Sequence, residues 1–252
     1  MSSGVRFALD GLWPVDPPSL YDRRRVWEGD LSVLAEYHET DGTGRNTSYL
    51  LTHDTSVTWS VPGQPQVASL VIRRDPQAGL YQFGLERHSL APLGQAWLIA
   101  RGCPPDPILR LAEGLPRPAD EETRAVEARL LASADGLHIR DSWTDGTETW
   151  VLAHDFGAAV LPARVFLEVP DLDAGTYRLT EGAFPTAVAA RDWLRGDRVE
   201  ALPPPPGPAF VDRRTRAASA RSVQLPSAPT RGSQFPPSPP LREPRPGPRW
   251  SR

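Results

Sequence analysis

Two histidine–aspartate steps are the residues of this chain whose types and spacing come nearest to a chemical site. His53-Asp54 and His154-Asp155 each close an apolar run, and imidazole and carboxylate groups are ligands of Zn²⁺. A twofold axis that brought the two steps together would offer four ligands to one metal ion. Adjacent side chains on a strand point to opposite faces, however, so one step cannot chelate an ion from one surface. We favour a structural interpretation, in which each aspartate ends a strand and its carboxylate accepts hydrogen bonds from local backbone N–H groups.

The other reactive side chains give weaker candidates. Cys103, the only cysteine, could pair with His53 or His88 as nucleophile and base, but it precedes two prolines and lies at the exit of a helix rather than at a helix N-terminus. Asp171-Leu-Asp173 resembles the start of a calcium loop but lacks the later oxygen ligands. The chain has no lysine, no glycine-rich phosphate loop and no nucleophile elbow. We therefore expect no catalytic residue, no metal and no cofactor.

The two histidine–aspartate steps belong to an internal duplication. Residues 49–54 (YLLTHD) are matched by residues 150–155 (WVLAHD), and the tetrapeptide Thr-Asp-Gly-Thr precedes both copies. Two further matches follow in the same order: an Asp-x-x-Ala-Gly-x-Tyr turn and a helix end that carries Trp97 or Trp193. Four ordered matches indicate an ancient duplication and predict two similar units with a pseudo-twofold relation.

Each copy has the pattern of four strands followed by a helix. Alternating or β-branched and aromatic residues predict strands at 31–39, 47–53, 67–73 and 80–86 in the first copy, and near 137–143, 149–153, 164–169 and 176–180 in the second. Pro92 begins a helix that ends before Gly102, and a second helix is predicted near 186–194. We predict an α+β fold of two tandem ββββα repeats that form one pseudo-twofold body, in which Trp97 and Trp193 anchor each helix on its sheet.

The rest of the chain divides into three segments around the two units, which we place at 30–103 and 136–202. Residues 1–29 lack periodicity and predict an extended segment held on the body by its aromatic side chains. Residues 104–135 predict a linker with one helix, whose first turn is acidic. Residues 203–252 contain 14 of the 29 prolines, and we expect this Pro/Ser/Arg-rich tail to be disordered because it cannot bury enough surface to offset its ordering entropy.

The net charge of −3 conceals a strong asymmetry. Residues 203–252 hold nine arginines and two acids, whereas the preceding residues hold 19 arginines and 29 acids. The chain therefore combines an acidic body with a basic tail. An acidic surface repels phosphate groups, so nucleic-acid binding by the body alone is disfavoured.

The order of elements over residues 31–196 resembles that of the PUR-repeat and Whirly-type single-stranded nucleic-acid binders. Nucleic-acid binding is therefore our alternative function, with an aromatic sheet face and phosphate contacts from two arginine groups. These are Arg23, Arg24 and Arg25 near the N-terminus and Arg213, Arg214 and Arg216 in the tail. Trp59, Trp143 and Trp150 lie on or near predicted strands, and the sequence leaves their exposure open.

The absence of a catalytic pattern favours a non-catalytic binding protein as the leading function. We expect it to contact a protein partner through a sheet face or through the groove between the two units. A cytoplasmic location without membrane contact is expected, because the first thirty residues lack a signal peptide and no apolar stretch has the length of a membrane span. An enzyme is the third class of function that we consider, after a protein-binding and a nucleic-acid-binding protein.

Overall fold

The computed structural model of the protein describes residues 5–57, 63–196, 198 and 200–206, which belong to one compact unit. The predicted disordered tail with Arg213, Arg214 and Arg216 lies outside the described residues, apart from its first few positions, and so does Trp59. No helix in the described part of the chain is long and apolar enough to cross a membrane.

The first sheet has five strands in the order β1-β5-β4-β3-β2. Its strands are β1 Trp13–Pro14, β2 Leu31–Thr40, β3 Asn46–Asp54, β4 Val67–Asp75 and β5 Leu80–His88. The four long strands pair antiparallel in sequence order, whereas the short β1 is parallel to the start of β5. Helix α1 (Pro17–Arg24) connects β1 to β2, and helix α2 (Ala91–Ala100) follows β5.

The second sheet repeats this arrangement, with the order β6-β10-β9-β8-β7. Its strands are β6 Arg117–Pro118, β7 Leu137–Thr144, β8 Thr149–Asp155, β9 Ala163–Asp171 and β10 Thr176–Phe184. A short helix α3 (Pro105–Leu109) precedes β6, helix α4 (Glu121–Ser133) connects β6 to β7, and helix α5 (Ala187–Arg195) follows β10. The shared strand order and the helix that follows each sheet confirm the predicted α+β fold of two tandem ββββα repeats.

The duplicated unit is longer than the sequence predicted. We call β1 through α2 the first repeat and β6 through α5 the second repeat. The backbone N–H groups of Trp13 and Arg117 donate to the carbonyls of Gly79 and Gly175, at equivalent positions of the two sheets. The duplication therefore includes the strand and helix that precede the four long strands, and residues 117–133 are more than a linker.

The caps of the two connecting helices show the same equivalence. Asp16 accepts a hydrogen bond from the N–H of Ser19 at 2.8 Å, and Asp120 accepts one from the N–H of Thr123 at 2.8 Å. Such side-chain acceptors satisfy N–H groups that have no partner within the helix. The hydroxyls of Ser19 and Thr123 in turn accept from backbone N–H groups of β5 and β10, so each cap also fixes its helix on the sheet.

The N-terminal segment differs from the predicted extended segment held by aromatic residues. It contains helix α1, and three of the aromatic side chains expected to hold it are exposed: Trp13 by 75%, Tyr21 by 65% and Trp27 by 68%. The segment is held instead by Val5 and Phe7, which are buried in the core of the first sheet. The prediction was wrong here because aromatic content alone does not say which side chains face the core.

Helix α2 packs very closely on the first sheet. Leu98 belongs to one core cluster with Tyr49 and Leu51 of β3. Gly94 makes this approach possible, because a Cβ atom there would lie 2.6 Å from Ser69 Oγ and 2.7 Å from a methyl carbon of Leu51. Any larger side chain at this position would have to push the helix away from the sheet.

The opposite side of α2 packs on the second repeat. Leu90 and Leu93 share a core cluster with Val126 and Leu130 of α4 and with Phe166 of β9. Helix α5, the equivalent of α2, packs on its own sheet. The contact between the repeats is therefore made by α2 of the first repeat and α4 of the second repeat.

Candidate binding sites

The first histidine–aspartate step holds a turn at the end of β3. Asp54 is only 1% exposed, and its Oδ1 accepts hydrogen bonds from the N–H and the hydroxyl of Ser56 at 3.0 and 2.6 Å. Its Oδ2 lies 2.7 Å from Nη2 of Arg87. His53 Nε2 lies 3.1 Å from the side-chain oxygen of Gln66. The turn and the ion pair therefore use both oxygens of this carboxylate.

The second step repeats this arrangement. Asp155 Oδ1 accepts a hydrogen bond from the N–H of Gly157 at 2.9 Å, and Oδ2 lies 3.2 Å from Arg164. The ring of His154 packs edge-on against Phe156, with 4.9 Å between the ring centres. Among the described residues, no group of three or more His, Cys, Asp and Glu side chains is placed to hold a metal ion.

Cys103 is poorly suited to act as a nucleophile. Its side chain is buried in the cluster beneath α2. Burial, and then the nearby carboxylate of Glu39, raises the pKa of this thiol to about 11. Since the thiolate is the reactive form, Cys103 is unreactive near neutral pH.

A groove of about 560 Å³ lies between the two repeats, and we call it the inter-repeat groove. Its floor consists of apolar and small side chains from α2 and from β7 and β8, and charged side chains surround it. The lining residues are Pro65, Glu86, Arg87, His88, Ser89, Leu93, Ala96, Trp97, Ala100, Arg101, Asp135, Leu137, Ile139, Ser142 and Val151. An apolar floor with a few polar groups at a junction of two units is typical of binding sites.

His88 and Trp97 set the electrostatics of one wall of this groove. Burial, and then the positive charge of Arg101, lowers the pKa of His88 to about 4, so the ring is neutral at neutral pH. The Arg101 guanidinium lies 3.6 Å from the centre of the Trp97 ring, a cation–π contact. Trp97 and its equivalent Trp193 are both only partly buried. Trp97 therefore packs on its sheet and also lines the groove, whereas Trp193 packs against the core cluster of α5.

A second cluster of titratable groups lies under α4. The hydroxyl of Tyr177 donates a hydrogen bond to Glu127. Burial, and then the charge of Glu127, raises the pKa of the nearby Glu168 to about 7. Ile72 pairs with Phe83 in the first repeat as Glu168 pairs with Leu179 in the second. Ile72 is therefore the equivalent of Glu168. The fold itself therefore does not need a carboxyl group at this position.

Exposed aromatic and cationic side chains lie on helix α1 and in the chain on either side of it. We call this set the α1 surface; it consists of Tyr21 and Arg24 in the helix, Arg25 at its end, Trp13 in β1 and Trp27 after the helix. Arg25 stacks over the ring of Tyr21 at 5.5 Å and lies 3.5 Å from Asp22. Tryptophan, tyrosine and arginine are the side chains that contribute most strongly to protein–protein interfaces.

The second repeat serves as an internal reference for the α1 surface. If α1 is superposed on α4 through their Asp16 and Asp120 caps, Tyr21 corresponds to Ala125, Arg24 to Ala128 and Trp27 to Leu131. Helix α4 thus forms the same structure without these larger or charged side chains. The sequence singled out Trp13, Tyr21 and Trp27 but predicted them to face the body. The aligned caps show their different role, but only the structure reveals that alignment.

The arginines proposed for nucleic-acid binding have different environments. Arg23 is partly buried, donates to the carbonyl of Val26 at 3.2 Å and stacks over Phe7, so it is used within the fold. Arg24 and Arg25 are exposed. Trp143 is 38% exposed, and its cross-strand neighbour Trp150 is partly buried.

Comparisons of the chain with protein families, with curated proteins and with solved structures found no match. The likeness to PUR-repeat and Whirly-type proteins therefore rests on the order of elements alone, which does not carry function. Function has to be argued from the surfaces of this chain.

Proposed function

We propose that this chain is a non-catalytic protein-binding protein, located in the cytoplasm, that contacts its partner through the α1 surface. The observation that carries this proposal is the concentration of exposed Trp13, Tyr21 and Trp27 around one short helix. Large exposed apolar side chains that no core requires are typical of interaction sites.

The chemistry of the α1 surface suggests what a partner offers. Its aromatic rings supply apolar contact area at a low cost in side-chain entropy. Arg24 and Arg25 supply fixed positive charge at the same place, although the body as a whole is acidic. We therefore infer that the partner carries an apolar patch bordered by acidic side chains, because such a patch complements both features.

A variant that copies the second repeat tests the proposal without disturbing the fold. The triple variant Tyr21→Ala, Arg24→Ala and Trp27→Leu replaces each residue by the one that α4 carries. Val188→Ala is a matched control, because Val188 is 65% exposed on helix α5 and lies outside the α1 surface. Both proteins should melt within about 2 °C of the wild type, since exposed substitutions change stability little.

Partner capture by the immobilised full chain, with quantitative mass spectrometry, then gives the readout. We expect the proteins enriched by the wild type to be lost with the triple variant and kept with Val188→Ala. Equal enrichment by all three proteins would exclude the α1 surface as the binding site.

Single-stranded nucleic-acid binding is the second candidate, favoured by the same combination of exposed aromatic rings with Arg24 and Arg25. Retention of the full chain on immobilised single-stranded DNA at low and at moderate salt separates the two functions. Retention that weakens steeply with salt and falls in the variant Arg24→Ala/Arg25→Ala would support this candidate. Absence of retention at low salt would reject it.

A further inference from the structure

The first repeat carries its own N-terminal segment on the same face of the sheet as α1. Val5 and Phe7 are 7% and 0% exposed, in one core cluster with Leu31 and Leu50. Leu9 packs against the same cluster. The apolar residues Val5, Phe7 and Leu9 alternate with the exposed Arg6 and Ala8. The segment is not extended throughout, because the chain bends at Ala8, whose φ is +48°.

Two charged side chains hold the backbone of this segment. The N–H of Phe7 donates to the Glu28 carboxylate at 2.8 Å, and the carbonyl of Phe7 accepts from Nε of Arg74 at 2.8 Å. Both are charge-assisted hydrogen bonds, which are stronger than neutral ones. The segment is therefore fixed by an acid and an arginine rather than by pairing with a strand.

The second repeat has the same apolar strand positions without the segment. Leu137 pairs with Asp155 as Leu31 pairs with Asp54, so the strand register makes Leu137 the equivalent of Leu31. By the same register, Ile139 and Val151 correspond to Val33 and Leu50. Leu137, Ile139 and Val151 line the inter-repeat groove. Ile139 is 41% exposed and Leu137 is partly exposed, whereas Val151 is fully buried.

The chain just before β6 does not cover this groove. By its position before β6, it is the equivalent of the segment that precedes β1. It packs on the first repeat instead, where the N–H of Ala112 donates to the carbonyl of Leu34 at 2.7 Å and Leu111 joins the cluster beneath α2. Leu90 just before α2 and Leu93 in α2 cover part of the second sheet, and the groove beside them stays open.

We propose that the inter-repeat groove binds a short segment of a partner protein with large apolar side chains at alternate positions. The bound segment would lie on Leu137 and Ile139, above the buried Val151, as Val5 and Phe7 lie on the first sheet. Charged groups suited to its backbone surround the groove, because Glu86 and Asp135 can accept from an N–H and Arg101 can donate to a carbonyl. This site is separate from the α1 surface, so the inference does not depend on the function proposed above.

The chain supplies its own probe for this site. A fluorescein-labelled peptide with the sequence of residues 5–10 (VRFALD) carries the three alternating apolar side chains. Fluorescence anisotropy with the full-length protein should show saturable binding. A peptide of the same composition with its three large apolar residues adjacent (RADVFL) should bind about tenfold more weakly, because only alternation places them on one face.

Two variants assign the binding to the groove. Ile139→Asp places a charge on the floor, and Ala100→Trp fills the groove from an exposed position of α2. Each should weaken binding by about tenfold or more. Val169→Asp is the matched control, because Val169 is 44% exposed on a strand of the same sheet and lies outside the groove. It should bind the peptide as the wild type does.

Three outcomes would overturn the proposal. The first is that the wild type shows no saturable binding at millimolar peptide, and the second is that all variants bind equally. The third comes from sedimentation of the unlabelled full chain. A dimer that Ile139→Asp abolishes and Val169→Asp keeps would assign the groove to the N-terminal segment of a second copy rather than to another protein.

Discussion

Arg87 and Arg164 bind the equivalent turn aspartates of the two repeats from neighbouring strands. In the first repeat Arg87 on β5 lies opposite Ala68 on β4. In the second repeat the two residue types are exchanged, since Arg164 on β9 lies opposite Ala183 on β10. One arginine thus reaches the turn aspartate in each repeat, from either of two adjacent strands.

The ion pair of Asp54 should be important for stability. Asp54→Asn leaves the Arg87 guanidinium with a neutral partner in a buried site, and we expect a loss of about 3 kcal/mol in the free energy of unfolding. Asp155→Asn should lose about 1 kcal/mol, because Arg164 keeps a second carboxylate, Oε1 of Glu181 at 3.6 Å from its Nη1. Urea denaturation measures both values. Equal losses would contradict compensation by Glu181.

The exchange between the repeats gives a second test of the same ion pair. The double variant Ala68→Arg/Arg87→Ala moves the arginine to the strand that carries it in the second repeat. It should recover at least half of the stability that Arg87→Ala loses, as measured by urea denaturation. No recovery would mean that the first repeat cannot accept an arginine from β4.

The histidines of the two steps should be structural. His53→Gln and His154→Gln should each lower the free energy of unfolding by about 1 kcal/mol or less and change no metal content, because each carboxylate beside them is already held by a turn and an arginine. Elemental analysis of protein purified without a histidine tag gives the result. A stoichiometric transition metal that is lost in His53→Gln would instead establish a metal site.

The four long strands of each repeat were predictable because their residues alternate and their turns contain aspartate and glycine. The β1–α1 unit was not predictable in the same way. Helix α1 begins with two prolines and buries only Ser19 fully, so it lacks the apolar stripe that identifies a helix. Its likeness to α4 is restricted to an aspartate followed three residues later by a hydroxyl side chain, a pattern too short to align before the structure was known.

The candidate sites were less predictable than the fold for a physical reason. Leu31 and Leu137 have the same residue type and the same register, yet only Leu31 is buried. What differs is the segment packed above each of them, which comes from distant parts of the chain. Local sequence patterns describe a strand and its neighbours, whereas a groove depends on which segment is missing from the surface.

Burial of His88 should make the protein less stable in mild acid. An unfolded chain protonates this histidine below its ordinary pKa near 6.5, whereas the folded chain does so only near pH 4. Stability from this group is therefore present above pH 6.5 and is lost as the pH falls to 4. His88→Gln should remove this loss. Its free energy of unfolding relative to the wild type should therefore rise by about 2 kcal/mol as the pH falls from 7 to 4.5. A difference between His88→Gln and the wild type that does not change with pH would contradict the lowered pKa.

The raised pKa of Glu168 has the opposite effect on how stability depends on pH. This carboxyl group ionises near its ordinary pKa of 4.5 in the unfolded chain and near pH 7 in the folded one. It therefore lowers stability progressively as the pH rises from 4.5 to 7. Glu168→Ile copies Ile72 of the first repeat. Its free energy of unfolding relative to the wild type should rise by about 2 kcal/mol as the pH rises from 4.5 to 8. Chemical denaturation at the two pH values tests this. A pH-independent difference would show that Glu168 ionises alike in both states.

The boundary of the folded body should lie after Leu202 rather than before it. Leu202 packs against the core cluster of α5, and a Cβ atom at Gly182 would lie 2.4 Å from its Cγ. The carbonyl of Pro203 also accepts from the N–H of Ala183 at 2.9 Å. A chain that ends at Pro206 keeps these contacts and should melt within about 2 °C of the full chain. A chain that ends at Ala201 should melt about 4 °C lower or more, because it loses a packed leucine and a hydrogen bond. Calorimetry of the two truncated proteins decides this, and a large loss for the protein that ends at Pro206 would show that residues beyond 206 dock on the body.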